Sequence, residues 1–225
     1  MTINPIFVAV DTDDLAHALN LATMLRPHIG GLKLGLEFFT AHGPAGIRAM
    51  AELGLPLFID LKLHDIPNTV AGAVRSLGPL KPAVLTVHAS GGATMLAAAK
   101  AAAPAGTKVV AVTVLTSLDA DDLGSIGVAA SPAAQVARLA SLARSSGLDG
   151  IVCSPHEVAA AIAAWPGCYV VAPGLRPAGD DVGDQKRVMT PAGALAAGAS
   201  MLVIGRPITD AADPVATAAA IAATL

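Results

Sequence analysis

The chain has 225 residues, of which 54% are apolar, 14% charged and 3% aromatic. A chain this apolar is not disordered. Its net charge of −3, from 14 basic against 17 acidic side chains, leaves no basic surplus for a nucleic-acid backbone and few rings for stacking bases. Mean hydropathy is +0.63, yet the three 18-residue windows that lack Asp, Glu, Lys and Arg (Pro82–Ala99, Val158–Leu175 and Val188–Gly205) are each cut by Gly and Pro. None offers the roughly 20 clean apolar residues of a membrane span. The start, MTINPIFVAVD, has no basic leader region and reaches Asp11 quickly, unlike a signal peptide. Cys153 and Cys168 form no CxxC pair and are expected as buried free thiols of a cytoplasmic protein.

In chain order, eight short runs rich in Val, Ile and Leu recur: Phe7–Asp11, Gly31–Gly35, Leu55–Lys62, Ala83–Ala89, Lys108–Thr116, Gly150–Ser154, Tyr169–Gly174 and Met201–Arg206. Near-continuous apolar runs suit strands buried on both faces of a parallel sheet. Helix starts are signalled between them. Ser131-Pro132, Ser154-Pro155, Thr190-Pro191 and Asp213-Pro214 each read as an N-cap followed by Pro at the first helical position. Ser154 with Glu157 fits a capping box. Gly54, Gly78, Gly147, Gly167 and Gly198 fall where helices should stop. The longer fifth unit has room for an extra short helix near Asp121–Ile126, with Asp119, Asp121 and Asp122 capping or beginning it. Eight strand-then-helix units predict a (β/α)8 TIM barrel, one α/β domain over residues 1–225, with an open doubly wound sheet as the other possibility.

In such a barrel the active site lies at the C-terminal ends of the strands. Polar and charged residues collect there: Asp11, Lys33, Asp60 with Lys62, His88, Thr116 with Ser117, Ser154, Arg176 and Gly205-Arg206. The sharpest feature is Asp60-Leu61-Lys62-Leu63-His64-Asp65. On a regular strand Asp60 and Lys62 share the face toward the barrel axis, where an unpaired charge is costly. Lys33 on the neighbouring run would lie beside Asp60, giving an alternating cluster Lys33, Asp60, Lys62, Asp65. Flanking carboxylates favour an ammonium ion, and a fixed ammonium is a proton donor suited to a carbanion. A purely structural salt-bridge cluster is the alternative. Gly205-Arg206 ends the eighth run, near which barrels often hold a phosphate. The polar stretch Pro173–Met189, with Arg176 and Gln185, is long for a connection and fits either a lid or a surface loop. His17, His28, His42 and His156 lack metal-ligand spacing and are expected on solvated surface, whereas His64 and His88 fall near strand ends. No dinucleotide fingerprint or phosphate loop occurs.

With these residues laid out, the sequence resembles the orotidine 5′-phosphate decarboxylase family in its short bacterial form. The matching stretches are Val8–Asp11, Leu32–Gly35, Asp60–Thr69, Val87–Gly92, Val112–Ser117, Pro173–Pro177, Gly183–Arg187 and Val203–Pro207, in the family's order from end to end. Asp-x-Lys-x-x-Asp alone is shared with sugar-phosphate members of the superfamily, in which it would hold Mg²⁺. Its continuation as Ile66-Pro67-Asn68-Thr69 is more specific. The resemblance implies conversion of orotidine 5′-phosphate to uridine 5′-phosphate (UMP) in pyrimidine biosynthesis, without metal or organic cofactor. It implies Lys62 as proton donor to C6, with Lys33, Asp60 and Asp65 completing the charged array. Asp11 and Lys33 would bind the ribose hydroxyls, Thr116 and Ser117 the pyrimidine edge, and Arg176, Gln185, Gly205 and Arg206 the phosphate. Asp65 and Thr69 would reach the neighbouring subunit's site, making the protein a homodimer.

Overall fold

The computed structural model describes residues 4–177 and 189–225. The eight apolar runs form strands β1 (Ile6–Ala9), β2 (Gly31–Leu34), β3 (Leu57–Leu63), β4 (Val84–His88), β5 (Lys108–Val112), β6 (Gly150–Val152), β7 (Tyr169–Ala172) and β8 (Met201–Ile204). They pair in parallel in chain order, and β8 pairs back with β1. The expected closed barrel is therefore present, and the open sheet is not. Around it lie α1 (Leu15–Leu25), α2 (Leu36–Ala51), α3 (Pro67–Leu77), α4 (Ala93–Ala102), α5 (Ala120–Ser125), α6 (Pro132–Ser145), α7 (Val158–Ala164), α8 (Pro191–Ala196), α9 (Arg206–Thr209) and α10 (Pro214–Ala222).

Side-chain alternation along the strands divides the core in two. Val8, Leu32, Leu34, Ile59, Leu85, Val87, Ile151, Val170 and Ile204 face outward into the layer shared with the helices. Phe7, Ala9, Phe58, Val84, Val110, Val171, Met201 and Val203 fill the barrel itself. Gly31 makes room for this filling, because a Cβ there would stand 2.3 Å from the Phe7 ring. At the N-terminal end the Lys108 ammonium lies 5.0 Å from the centre of the Tyr169 ring, a cation–π contact. The charged and polar positions at the opposite end are thus set on a buried, apolar plug.

The caps explain where the helices begin. Ser131, Thr190 and Asp213 each accept a hydrogen bond from the backbone N–H three residues on, with Pro opening the helix behind them. Asp119 and Asp122 form a reciprocal capping box on α5, the extra helix expected in the fifth unit. One expectation is corrected. Ser154 caps a single 3-10 turn, Pro155–Glu157, ahead of α7 rather than α7 itself. Helix α3 does stop at Gly78, its C-cap, there with φ −52°; Gly78 opens another 3-10 turn, and the left-handed residue that ends that turn is Lys81. Gly54, Gly147, Gly167 and Gly198 do take positive φ. Helix α2 is kinked at Gly43, where Pro44 cannot continue the regular hydrogen-bond ladder. Among the described residues no helix is long and apolar enough to cross a membrane.

Candidate active site

Strand β3 is the longest strand, at seven residues, and it is irregular. Ile59 pairs with Leu85 and Leu63 with Val87, so three residues of β3 (Asp60, Leu61 and Lys62) stand opposite Thr86 alone. The surplus is taken up by a bulge in which Lys62 adopts φ +50°. For a residue with a Cβ this left-handed conformation is unfavourable by about 1–2 kcal/mol and must be held by its surroundings. The regular strand expected from the sequence is corrected here: Asp60 and Lys62 are not brought to one face by simple alternation. The bulge re-aims Lys62, and its Nζ donates to Asp60 Oδ2 at 2.8 Å.

Asp60 is the centre of the arrangement. Its residue is 7% exposed. Besides Lys62, its Oδ2 has Lys33 Nζ at 3.9 Å, and its Oδ1 accepts from the Thr86 hydroxyl at 2.9 Å. Lys33 in turn donates to Asp11 Oδ1 at 3.1 Å. An alternating line Asp11–Lys33–Asp60–Lys62 thus crosses the mouth from β1 to β3. Gly35 leaves the space for its first half, since a Cβ there would stand 2.9 Å from both Asp11 Oδ1 and Lys33 Nζ. A buried charge is tolerated only when paired and hydrogen-bonded, and Asp60 meets both conditions.

Asp65 does not join this line. It lies past the end of β3, is exposed, and its Oδ1 accepts from the Ile66 backbone N–H at 2.6 Å. Among the described residues no ion pair includes it, so the four-member cluster expected within one chain is corrected to Lys33, Asp60 and Lys62 plus Asp11. Thr69, in the first turn of α3, is also exposed and away from the line.

Two hollows meet at the mouth. A cavity of about 170 Å³ is lined by Lys33, Asp60, Lys62 and Thr116 on one side and by Phe58, Val112, Val152, Val171 and Val203 on the other. A wider cleft of about 510 Å³ adjoins it through the shared residues Pro173 and Val203, and is lined by Asp11, Glu37, Arg176, Gly205, Arg206, Thr209 and Asp210. Thr116 is buried in the loop after β5 and Ser117 beside it is exposed. Arg176 Nη1 donates to the Leu175 carbonyl. Arg206 is the exposed first residue of α9, directly after Gly205. Arg176 N donates to the Met189 carbonyl, so the chain leaves and returns at one point of this rim. Gln185 lies outside the described residues.

Sequence reasoning missed Thr86, which is fully buried. Its signal was present: it is a polar residue in an apolar run, at the same inward parity as Val84. The His64 and His88 rings stack at 5.5 Å beside the array. Burial is the largest cause of a lowered His88 pKa, and the neighbouring His64 and Lys62 lower it further. His42, expected on solvated surface, is instead half-buried with its ring edge-on to Phe38 at 4.9 Å. Both thiols are buried and free, and burial pushes Cys168 up to about 11.

A closed barrel with a paired, buried set of ammonium and carboxylate groups at the C-terminal mouth has the architecture of a barrel enzyme with its site on the catalytic face. A family model described as "Orotidine 5′-phosphate decarboxylase / HUMPS family" matches residues 4–221, and the chain belongs to that family. It is 61% identical over 222 residues, 99% of both chains, to an orotidine 5′-phosphate decarboxylase of Sphingopyxis alaskensis. It is 59% identical over 222 residues, again 99% of both chains, to that of Novosphingobium aromaticivorans. The crystal structure of orotidine 5′-phosphate decarboxylase from Lactobacillus acidophilus superposes with a TM-score of 0.85 at 38% identity, covering 98% of each chain.

Proposed function

We propose that this chain decarboxylates orotidine 5′-phosphate to uridine 5′-phosphate (UMP), in pyrimidine biosynthesis, as a cytoplasmic homodimer. The observation that carries the reading is the line Asp11–Lys33–Asp60–Lys62 above a small, mostly apolar cavity. The pyrimidine would occupy that cavity, with Thr116 and Ser117 at its edge. The ribose hydroxyls would meet Asp11 and Lys33. The phosphate would lie in the wider cleft against Arg176, Gly205 and Arg206, with Gln185 added from the adjoining segment.

The chemistry follows from the charges. Breaking the bond from C6 to the carboxylate releases CO₂ and leaves the electron pair in a ring-plane orbital with no conjugated sink. The Lys62 ammonium would stabilise that pair and transfer its proton to C6. Lys62 is then neutral and regains a proton from solvent. Asp60 and Thr86 hold Lys62 before the reaction begins, and preorganised charge in a site shielded from water acts more strongly than the same charge in solution. Binding of the remote phosphate contributes to lowering the barrier at C6.

The donor set disfavours the Mg²⁺-dependent sugar-phosphate reading. Asp60 has ammonium groups at 2.8 and 3.9 Å and a hydroxyl on its other oxygen. Among the described residues no group of three or more His, Cys, Asp or Glu is placed to hold a metal. Buried free thiols accord with a reducing compartment. The test is ultraviolet assay of the purified protein on orotidine 5′-phosphate after exhaustive chelation, beside Lys62→Ala. Full turnover by the wild type and a loss of at least about 100-fold in the variant are expected for removal of a positioned proton donor. No wild-type turnover, or equal rates, would sink the assignment.

A further inference from the structure

We propose that Thr86 is a positioning residue for the charged array: its hydroxyl fixes both the Asp60 carboxylate and the left-handed backbone of Lys62. The proposal rests on the decarboxylase reading for its kinetic consequence, but its structural basis is separate.

A hydroxyl offers one proton and two lone pairs. The Lys62 backbone N–H can only donate, and it donates to Thr86 Oγ1 at 2.9 Å. The hydroxyl's single proton goes to Asp60 Oδ1, also at 2.9 Å. One side chain therefore ties together the two ends of the bulge. Backbone groups along a parallel strand face its two neighbours alternately: the Pro56 carbonyl accepts from Leu32 of β2 and the Leu57 carbonyl from Ala83 beside β4, so on regular alternation the Lys62 N–H would face β2. The three-against-one register turns it toward β4 instead, where the Thr86 hydroxyl and not a backbone carbonyl accepts it. A buried N–H left unpaired is costly, so the hydroxyl substitutes for a ladder bond at the position where the ladder is broken. Asp60 is then gripped on both oxygens, by Thr86 on Oδ1 and by Lys62 on Oδ2. Freed from Thr86, the carboxylate can rotate and Lys62 can relax from φ +50°, and either movement takes the ammonium from its place. Thr86 itself has 0% exposure and is absent from the residues lining either hollow. It acts through Asp60 and Lys62, not on the ligand.

Thr86→Val keeps the shape and removes the hydroxyl. On orotidine 5′-phosphate its kcat is expected to fall by roughly 10- to 100-fold, the effect of losing hydrogen bonds to a charged group and to a buried N–H. The affinity for uridine 5′-phosphate, measured by calorimetry, should stay within about threefold. Thr86→Ser restores the hydroxyl and should recover most of the lost rate. If Thr86→Val does not fold, Thr86→Ala takes its place. An unchanged kcat, a parallel loss of kcat and product affinity, or a Ser variant as slow as Val would each overturn the role. Amide exchange at Lys62 reads the same contact without turnover: the Val variant should exchange at least about tenfold faster, and equal protection also overturns the proposal. A wild type that fails on orotidine 5′-phosphate while Lys62 exchange still depends on Thr86 would reject the substrate and keep the positioning role.

Discussion

The β2–β4 side of the mouth and the β7–β8 side are built differently. On the first, Lys33 and Asp60 are buried, each has a named partner within 3.1 Å, and a bulge is held by a hydroxyl with no exposure. On the second, Arg206 is exposed, Gly205 is partly open, and the cleft is about three times the volume of the cavity next to it. Under the proposed function the difference would divide the labour. A proton donor must sit within a fraction of an ångström of one atom, which requires a site finished before the ligand arrives. An anion clamp tolerates adjustment, since charge and backbone N–H groups act over a wider range of positions.

Asp65 gives the largest expected effect on this comparison, because in the proposed homodimer it would place part of the rigid half outside the chain. It is exposed and carries no ion pair among the described residues, yet it directly follows the strand that supplies Asp60 and Lys62. If it completes the array of a second subunit, Asp65→Ala should lower kcat by at least about 100-fold, as expected for a group shaping preorganised charge. Mixing inactive Asp65→Ala with inactive Lys62→Ala should then restore activity, because half of the sites in a mixed dimer carry both native residues. No recovery on mixing, in a preparation shown to exchange subunits, would place Asp65 in its own chain's site or in none.

Arg206 probes the adaptable half and should give a different kind of loss. Arg206→Ala is expected to reduce kcat/KM on orotidine 5′-phosphate by about 10- to 100-fold, in line with a charged contact to phosphate, mainly through KM. Orotidine without its phosphate should be affected little. Equal losses on both substrates would mean that Arg206 supports the barrel rim rather than an anion.

Much of this division was legible in the sequence, for identifiable reasons. Eight apolar runs separated by Pro-marked helix starts are a strong periodic signal, and they became eight strands in chain order. Asp60, Lys62 and Lys33 stood out because charge is rare in such runs. The bulge was not legible. Nothing in Asp-Leu-Lys distinguishes alternation from a left-handed Lys62; the cause lies across the sheet in a two-residue mismatch with β4. Thr86 was legible only as a polar residue in an apolar run, an ambiguous signal, since a lone Thr in a strand suits β-propensity without any polar role. Asp65 was grouped with its sequence neighbours because spacing along a strand says nothing about where the chain turns away.

The smallest effect concerns His88, at the edge of the rigid half. Burial, His64 and Lys62 all lower its pKa, burial most, and Ser90 Oγ lies 2.8 Å from its Nδ1. Above about pH 6.5, the ordinary value, the ring is neutral in the folded and unfolded chain alike and contributes no pH dependence. As pH falls through that value the unfolded chain takes up a proton that folded His88 resists, so stability is lost progressively down to the lower folded pKa. The urea midpoint should therefore decline as pH falls below about 6.5 more steeply in the wild type than in His88→Asn, which keeps a polar group beside Ser90 and cannot titrate. Because carboxylates titrate in both proteins over that range, the difference between the two curves is the measurement. Curves that run parallel would show that His88 gains its proton as readily in the fold as outside it, and that the neighbourhood of Lys62 is wetter than its packing implies.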